Sequence, residues 1–100
     1  MLLREIAHSR AGDKGNRSTL SVIVYDIRDY PRIERCLTAQ RVREHYADIV
    51  RGEVERYAVP HLGALNFVLH DSLSGGVTRS LALDAHGKCL SSAILGMSIE

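Results

Sequence analysis

Apolar and polar positions change period several times along this chain, and each change predicts an element. Leu2 to His8 alternates weakly and reads as a short strand; Arg10 to Asn16 has the glycine, aspartate and asparagine content of a loop. Ser18 to Tyr25 concentrates Thr19, Val22, Ile23, Val24 and Tyr25, β-branched and aromatic residues that crowd a helix but suit a pleated strand. Asp26 to Tyr30 turns the chain. Pro31 then fits the first position of a short helix running to Leu37, where its missing N–H costs nothing. Thr38 can cap a second, longer helix in which Ala39, Val42, Tyr46, Ile49 and Val50 recur on one side. Arg41, Arg43, Glu44, Asp48 and Arg51 fill the other side as a solvated face, and Gly52 is placed to end the helix.

Glu53 to Val59 predicts another strand, stopped by Pro60. Leu62 to His70 predicts one more, with Leu65, Phe67 and Leu69 on one face and Asn66, Val68 and His70 on the other. Ser72 to Ser80, containing Gly75-Gly76, is a second glycine-rich bend. Leu81–Leu83 and Cys89–Ile99 read as arms of a hairpin joined by residues 84–88, where Gly87 can take a positive φ. No linker or repeat interrupts residues 1–100, so one domain is expected. The fold class that follows is α+β: a two-layer sandwich, ferredoxin-like, with a mostly antiparallel sheet and one long and one short helix on one face.

Composition narrows the function classes. With 100 residues, 45% hydrophobic and 25% charged, the chain has the make-up of a folded globular domain rather than a disordered or fibrous one. A net charge of +1 supplies no global attraction for nucleic acid or an anionic membrane, so anion recognition must be local. Cys36 and Cys89 lack metal or redox spacing and read as small apolar residues. Without a secretory leader or an apolar run near the roughly 20 residues that span a bilayer, the expected location is cytoplasmic, with no membrane partner.

The local cluster is His8 to Ser18. A loop carrying Arg10, Gly12, Asp13, Lys14, Gly15, Asn16 and Arg17 can turn several N–H groups toward one point, because glycine accepts φ values closed to other residues. Such a nest binds anions, and the guanidinium and ammonium groups suit a carboxylate or phosphate. The same residues also fit a tight turn in which Asp13 bonds its neighbours' amides and the cations are solvated. Gly12-Asp13-Lys14-Gly15 has the Gly-x-x-Gly form of nucleic-acid clamps, but those join two helices; a strand follows here, and no nucleic-acid partner is expected. Five histidines show no ligand spacing, so no metal is expected, and no dinucleotide fingerprint points to a cofactor. His8 and His70-Asp71 could still converge in space. Asn66, mid-strand among apolar residues, needs partners for its amide; a bond to the nearby bend and contact with a ligand are the two readings. The bend at residues 74–80 repeats the chemistry of the first, and the two would form one polar pocket if they lay at the same end of the sheet.

Ala7 to Asn16, RGEVERY (Arg51 to Tyr57), LGALNFVLH (Leu62 to His70), GGVTRSL (Gly75 to Leu81) and LDAHGKCLSSAIL (Leu83 to Leu95) together bear a likeness over nearly the whole chain. The sequence resembles the ferredoxin-fold domain found at the C-terminal end of AtuA-type acyclic terpene utilisation proteins, and also as free-standing small proteins. The resemblance implies a role beside a larger AtuA-like protein in bacterial breakdown of terpenoid or branched carboxylic acids as acyl-CoA thioesters. It carries over the element Arg10, Gly12, Asp13, Lys14 and Gly15 but no catalytic residues. Thr19 and Ser21 depart from the family, where asparagine and glycine are frequent. The expected function is therefore an accessory domain without catalysis of its own, contacting that partner or an acyl-CoA or carboxylate ligand through Arg10 to Ser18, Asn66 included. The alternative is a small enzyme on a CoA-linked or carboxylated substrate, with Asp13, Lys14 and His70 as acid–base candidates. Exposed sheet edges point to a homodimer.

Overall fold

A computed structural model of the chain describes residues 1–14, 17–47, 50–71 and 89–99. After a one-turn 3-10 helix at Leu3–Glu5, β1 (Ala7–Lys14) and β2 (Arg17–Val24) form a hairpin. Two helices follow, α1 (Tyr30–Cys36) and α2 (Ala39–His45), and then a second hairpin of β3 (Val54–Val59) and β4 (Ala64–His70). A further helix, α3 (Cys89–Ile94), precedes the last described residues. The sheet runs β1-β2-β4-β3, with every neighbouring pair antiparallel. Read from β2, the elements follow the β-α-β-β-α order of a ferredoxin-like chain, and β1 occupies the place of its closing strand. The residues after α3 lie beside those that lead into β1: Leu3 N–H donates to the Met97 carbonyl at 2.9 Å and Ile99 N–H to that of Met1 at 2.8 Å.

One face of the sheet holds the core. Along β2 burial alternates strictly, with Ser18, Leu20, Val22 and Val24 inward, and Leu65, Phe67 and Leu69 of β4 are wholly buried beside them. Helices α1, α2 and α3 supply Ile33, Val42 and Ile94 to the same cluster. The α+β two-layer architecture expected from the pattern is present, and Cys36 packs in the core as a small apolar residue. Thr38 caps α2 as expected, its hydroxyl accepting from Arg41 N–H at 3.1 Å. Replacing Thr38 by alanine should cost about 1 kcal/mol in urea unfolding, the usual worth of such a cap.

Arginines rather than a glycine satisfy the carbonyls at the end of α1. Arg56, from β3, donates to Glu34 and Leu37 carbonyls at 2.8 and 2.9 Å. Arg41 bridges the Cys36 carbonyl at 3.0 Å to that of Ser98 at 2.9 Å. Cations there also suit the negative end of the helix.

Four expectations change. The first strand is not Leu2 to His8: Leu3–Glu5 is a 3-10 turn and the strand runs from Ala7 to Lys14, so Arg10, Gly12, Asp13 and Lys14 belong to a strand and not to a loop. Continuous pairing with β2, Ala7 against Val24 through to Lys14 against Arg17, supplies the order that local composition does not. The second helix ends at His45, equal in length to α1 at 7 residues, so there is no long and short pair. Gly52 does not cap it. Its N–H instead meets the His70 carbonyl at 3.1 Å, beside β4. Cys89–Ile99 is not a strand arm: residues 89–94 are helical, and only Ser98 bridges to Leu2. The bend at residues 72–80, the arm Leu81–Leu83 and the connection 84–88 lie outside the described residues, as do Gly15, Asn16 and Ile49.

Candidate functional site

Because side chains alternate across a strand, the register decides which sequence-predicted residues can act together. Arg10 pairs with Ser21 and Gly12 with Thr19, while Ser21 pairs with Asn66 and Thr19 with Val68. Leu20 and Phe67, the alternate positions, are buried against the helices. Arg10, Gly12, Arg17 and Asn66 therefore share the opposite, outer face. Lys14 is the register partner of Arg17, and Asp13 that of Ser18, which is fully buried. Successive strand amides point to alternate sides, so residues 10–14 cannot form the convergent nest expected of a loop. Asn66 does not reach a bend either; it accepts the Ser21 hydroxyl at 2.8 Å across β2 and β4.

One end of this outer face is charged. Arg17 lies opposite His70 in the ladder. Glu55, on β3, accepts from the Tyr57 hydroxyl through one oxygen and from His70 Nε2 through the other. Hydrogen bonds from Tyr57 and then His70, with Arg17 nearby, hold the Glu55 carboxyl below its ordinary range, and the same bond to Glu55 pushes the Tyr57 phenol up. Glu55 and Tyr57 were not singled out from the sequence. The signal was there in RGEVERY, whose positions 55 and 57 fall on one face of a strand, but their meeting with His70 needs the register between β3 and β4.

Described residues on either side of two undescribed segments meet at this charged end. Lys14 and Arg17 are register partners there, and Asp71 is one residue beyond the His70 that pairs with Arg17. His8 stands at the other end, opposite Ile23 and stacked on Tyr25 with ring centroids 5.2 Å apart. It therefore does not converge with His70. Tyr25, Ile27 and Leu62 are exposed. Among the described residues no three of His, Cys, Asp and Glu gather as a metal site. A groove of about 600 Å³ lies elsewhere, between α2 and the start of β3, lined by Gln40, Arg43, Glu44 and Glu53.

The Glu55 bonds have a pH consequence. A carboxyl whose folded pKa is depressed adds stability above its unfolded value, near 4.5, and that stability is lost as pH falls through the folded value. The gap in thermal midpoint between the parent and Glu55→Gln should hold from neutral pH down to that value and then close with further acidification.

A family model described as the AtuA ferredoxin-like domain matches residues 1–100. No curated protein and no solved structure matches the chain. No described helix is long and apolar enough to cross a membrane.

Proposed function

The chain belongs to the AtuA ferredoxin-like domain family, and from that premise we propose that it is a binding module that works beside a larger AtuA-like protein. Its ligand in this reading is the anionic part of a terpenoid or branched carboxylic acid, free or as its CoA thioester. The observation that supports it is the shared outer face, on which Arg10, Arg17 and Asn66 stand together, with Arg17 opposite His70 in the ladder.

Arginine offers a fork of donors matched to carboxylate and phosphate oxygens. A sheet face, however, covers a small molecule from one side only, whereas ligand sites are concave. The larger partner supplies the second wall, so ligand and partner binding reinforce each other through one site. The cationic stretch from Arg10 to Arg17 keeps its proposed role, with a strand face in place of a loop nest.

Calorimetry with a short acyl-CoA, in the presence and absence of the AtuA-like partner, tests this. Removing two charge-assisted contacts with Arg10→Ala and Arg17→Ala should weaken binding at least tenfold. No binding by the parent, alone or with the partner, would end the ligand reading, and the absence of any complex on a sizing column would end the partner reading.

One observation favours a catalytic reading as the second choice. Glu55 holds His70 through Nε2, as a carboxylate orients a general base, which suits proton abstraction from a CoA-linked or carboxylated substrate. Deuterium uptake from solvent into such an acyl-CoA, lost in His70→Gln, would establish it. No uptake with the parent removes it.

A further inference from the structure

Tyr57 and Glu55 of β3 stand opposite Asn66 and Val68 of β4, and His70 is two residues beyond Val68 on the same face. Glu55 and His70 are therefore diagonal neighbours across the two strands, within reach of long side chains. The backbone of His70 is fixed as well. Its N–H donates to the Glu53 carbonyl at 2.9 Å, and its own carbonyl accepts from Gly52 N–H at 3.1 Å. Asp71 then turns the chain out of β4 through a φ of 57°, a region few residues other than glycine, asparagine and aspartate enter.

Both oxygens of Glu55 are engaged, one by the Tyr57 hydroxyl and the other by His70 Nε2. Those bonds hold the carboxyl below its ordinary range, so at neutral pH it is ionised and has no proton to give. An acceptor on one side of the contact requires a donor on the other. Nε2 therefore carries the hydrogen, and in the neutral imidazole Nδ1 carries the lone pair. Tyr57 bears on this choice from one step further away. The terminal torsion of a glutamate is soft, and a phenol bonded to one oxygen fixes the plane in which the other oxygen meets Nε2.

We infer that Tyr57 is a positioning residue: through Glu55 it holds His70 in the Nε2–H tautomer and makes Nδ1 the nitrogen that takes up a proton. The inference deepens the catalytic reading of His70 and rests on it for its use. In the step concerned, a C–H bond beside the substrate carbonyl breaks, its electron pair stays on the substrate as an enolate, and an N–H bond forms at Nδ1. The imidazolium so formed is balanced by the Glu55 carboxylate, which keeps its charge and its bond to Nε2. Arg17, the ladder partner of His70, has a charge that reaches Glu55, and it supplies a cation beside the base for the negative charge that develops.

Long-range proton–nitrogen correlation of the imidazoles reads the tautomer directly. At about pH 8.5 an ordinary imidazole is neutral, and the Tyr57 phenol, pushed up by its bond to Glu55, keeps its proton. His70 should show the pattern of a single Nε2–H form. Glu55→Ala should move its two nitrogen shifts to the averaged values of the exposed His61 in the same spectrum, and Tyr57→Phe should move them part of the way. His8 against Tyr25 and His45 against the Ala93 carbonyl should stay unchanged, as reporters of an intact fold. An Nδ1–H pattern in the parent, or shifts indifferent to Glu55→Ala, would overturn the arrangement. Shifts indifferent to Tyr57→Phe would remove Tyr57 from it. The deuterium-uptake assay keeps the two ideas apart. There Tyr57→Phe should slow exchange about tenfold at an unchanged half-saturating substrate concentration. A parent without uptake that still shows the Glu55-dependent tautomer would end the catalytic reading alone.

Discussion

Phe67→Ala should remove about 3–5 kcal/mol of folding stability, the usual cost of emptying a fully buried aromatic site. Phe67 is the largest of the wholly buried side chains, and it sits mid-way along β4, between Leu20 of β2 and Arg56 of β3 in the ladder. Its ring fills the space where the inner sheet face meets the helices, and a 100-residue domain commonly has only about 5–15 kcal/mol to lose. Urea unfolding should show the midpoint falling sharply with little change in slope. Asn66→Ala, one residue away on the outer face, should cost about 1 kcal/mol or less, chiefly the bond from Ser21. Equal losses at the two positions would refute the assignment of faces on which the site rests.

Gly52→Ala should cost about 2–3 kcal/mol through overpacking, although it adds only one methyl group. The new Cβ would lie 2.8 Å from the His70 carbonyl oxygen and 3.0 Å from the His70 Cβ, and a backbone oxygen cannot swing aside as a flexible side chain can. The segment before β3 must therefore move off β4, straining the bonds from Gly52 N–H to His70 and from His70 N–H to Glu53. Gly96→Ala is the matched control: its Cβ would find nothing nearer than 3.5 Å, and the change should stay within about 0.5 kcal/mol. The Gly52 strain falls beside the Glu55–His70 pair. Gly52→Ala should therefore also narrow the pH-dependent gap between the parent and Glu55→Gln backgrounds, which thermal melts across the acidic range would reveal.

These two residues join stability to the proposed function. Phe67 anchors the inner face of the sheet whose other face carries Asn66, Arg10 and Arg17. Gly52 lets the chain pass close enough to β4 for Glu55 to reach His70. A binding module of this kind depends on a rigid sheet to present Arg10 and Arg17 at a constant spacing, because donors that must be ordered on binding lose part of their affinity to that ordering.

Much of the fold was legible along the chain because its signals are local. The alternation of Leu65, Phe67 and Leu69, the β-branched run before Tyr25, Pro31 in the first turn of α1 and the Thr38 cap depend on neighbours within a few residues. Residues 10–14 misled for the opposite reason. An edge strand with one side and one rim in water needs few apolar residues, so its composition resembles a loop, and only pairing with β2 makes it a strand. Cys89–Ile94 likewise has a short apolar pattern that suits either element, and docking against β1 and β2 decides for the helix. By itself, then, the sequence determined the α+β class, the buried face of β4, the Thr38 cap and the presence of a cationic stretch. Tertiary structure alone decided that Arg10, Arg17 and Asn66 share a face, that Glu55 finds His70, and that Gly52 must be small. Those facts depend on strand register and close approach between distant segments, which no local spacing encodes.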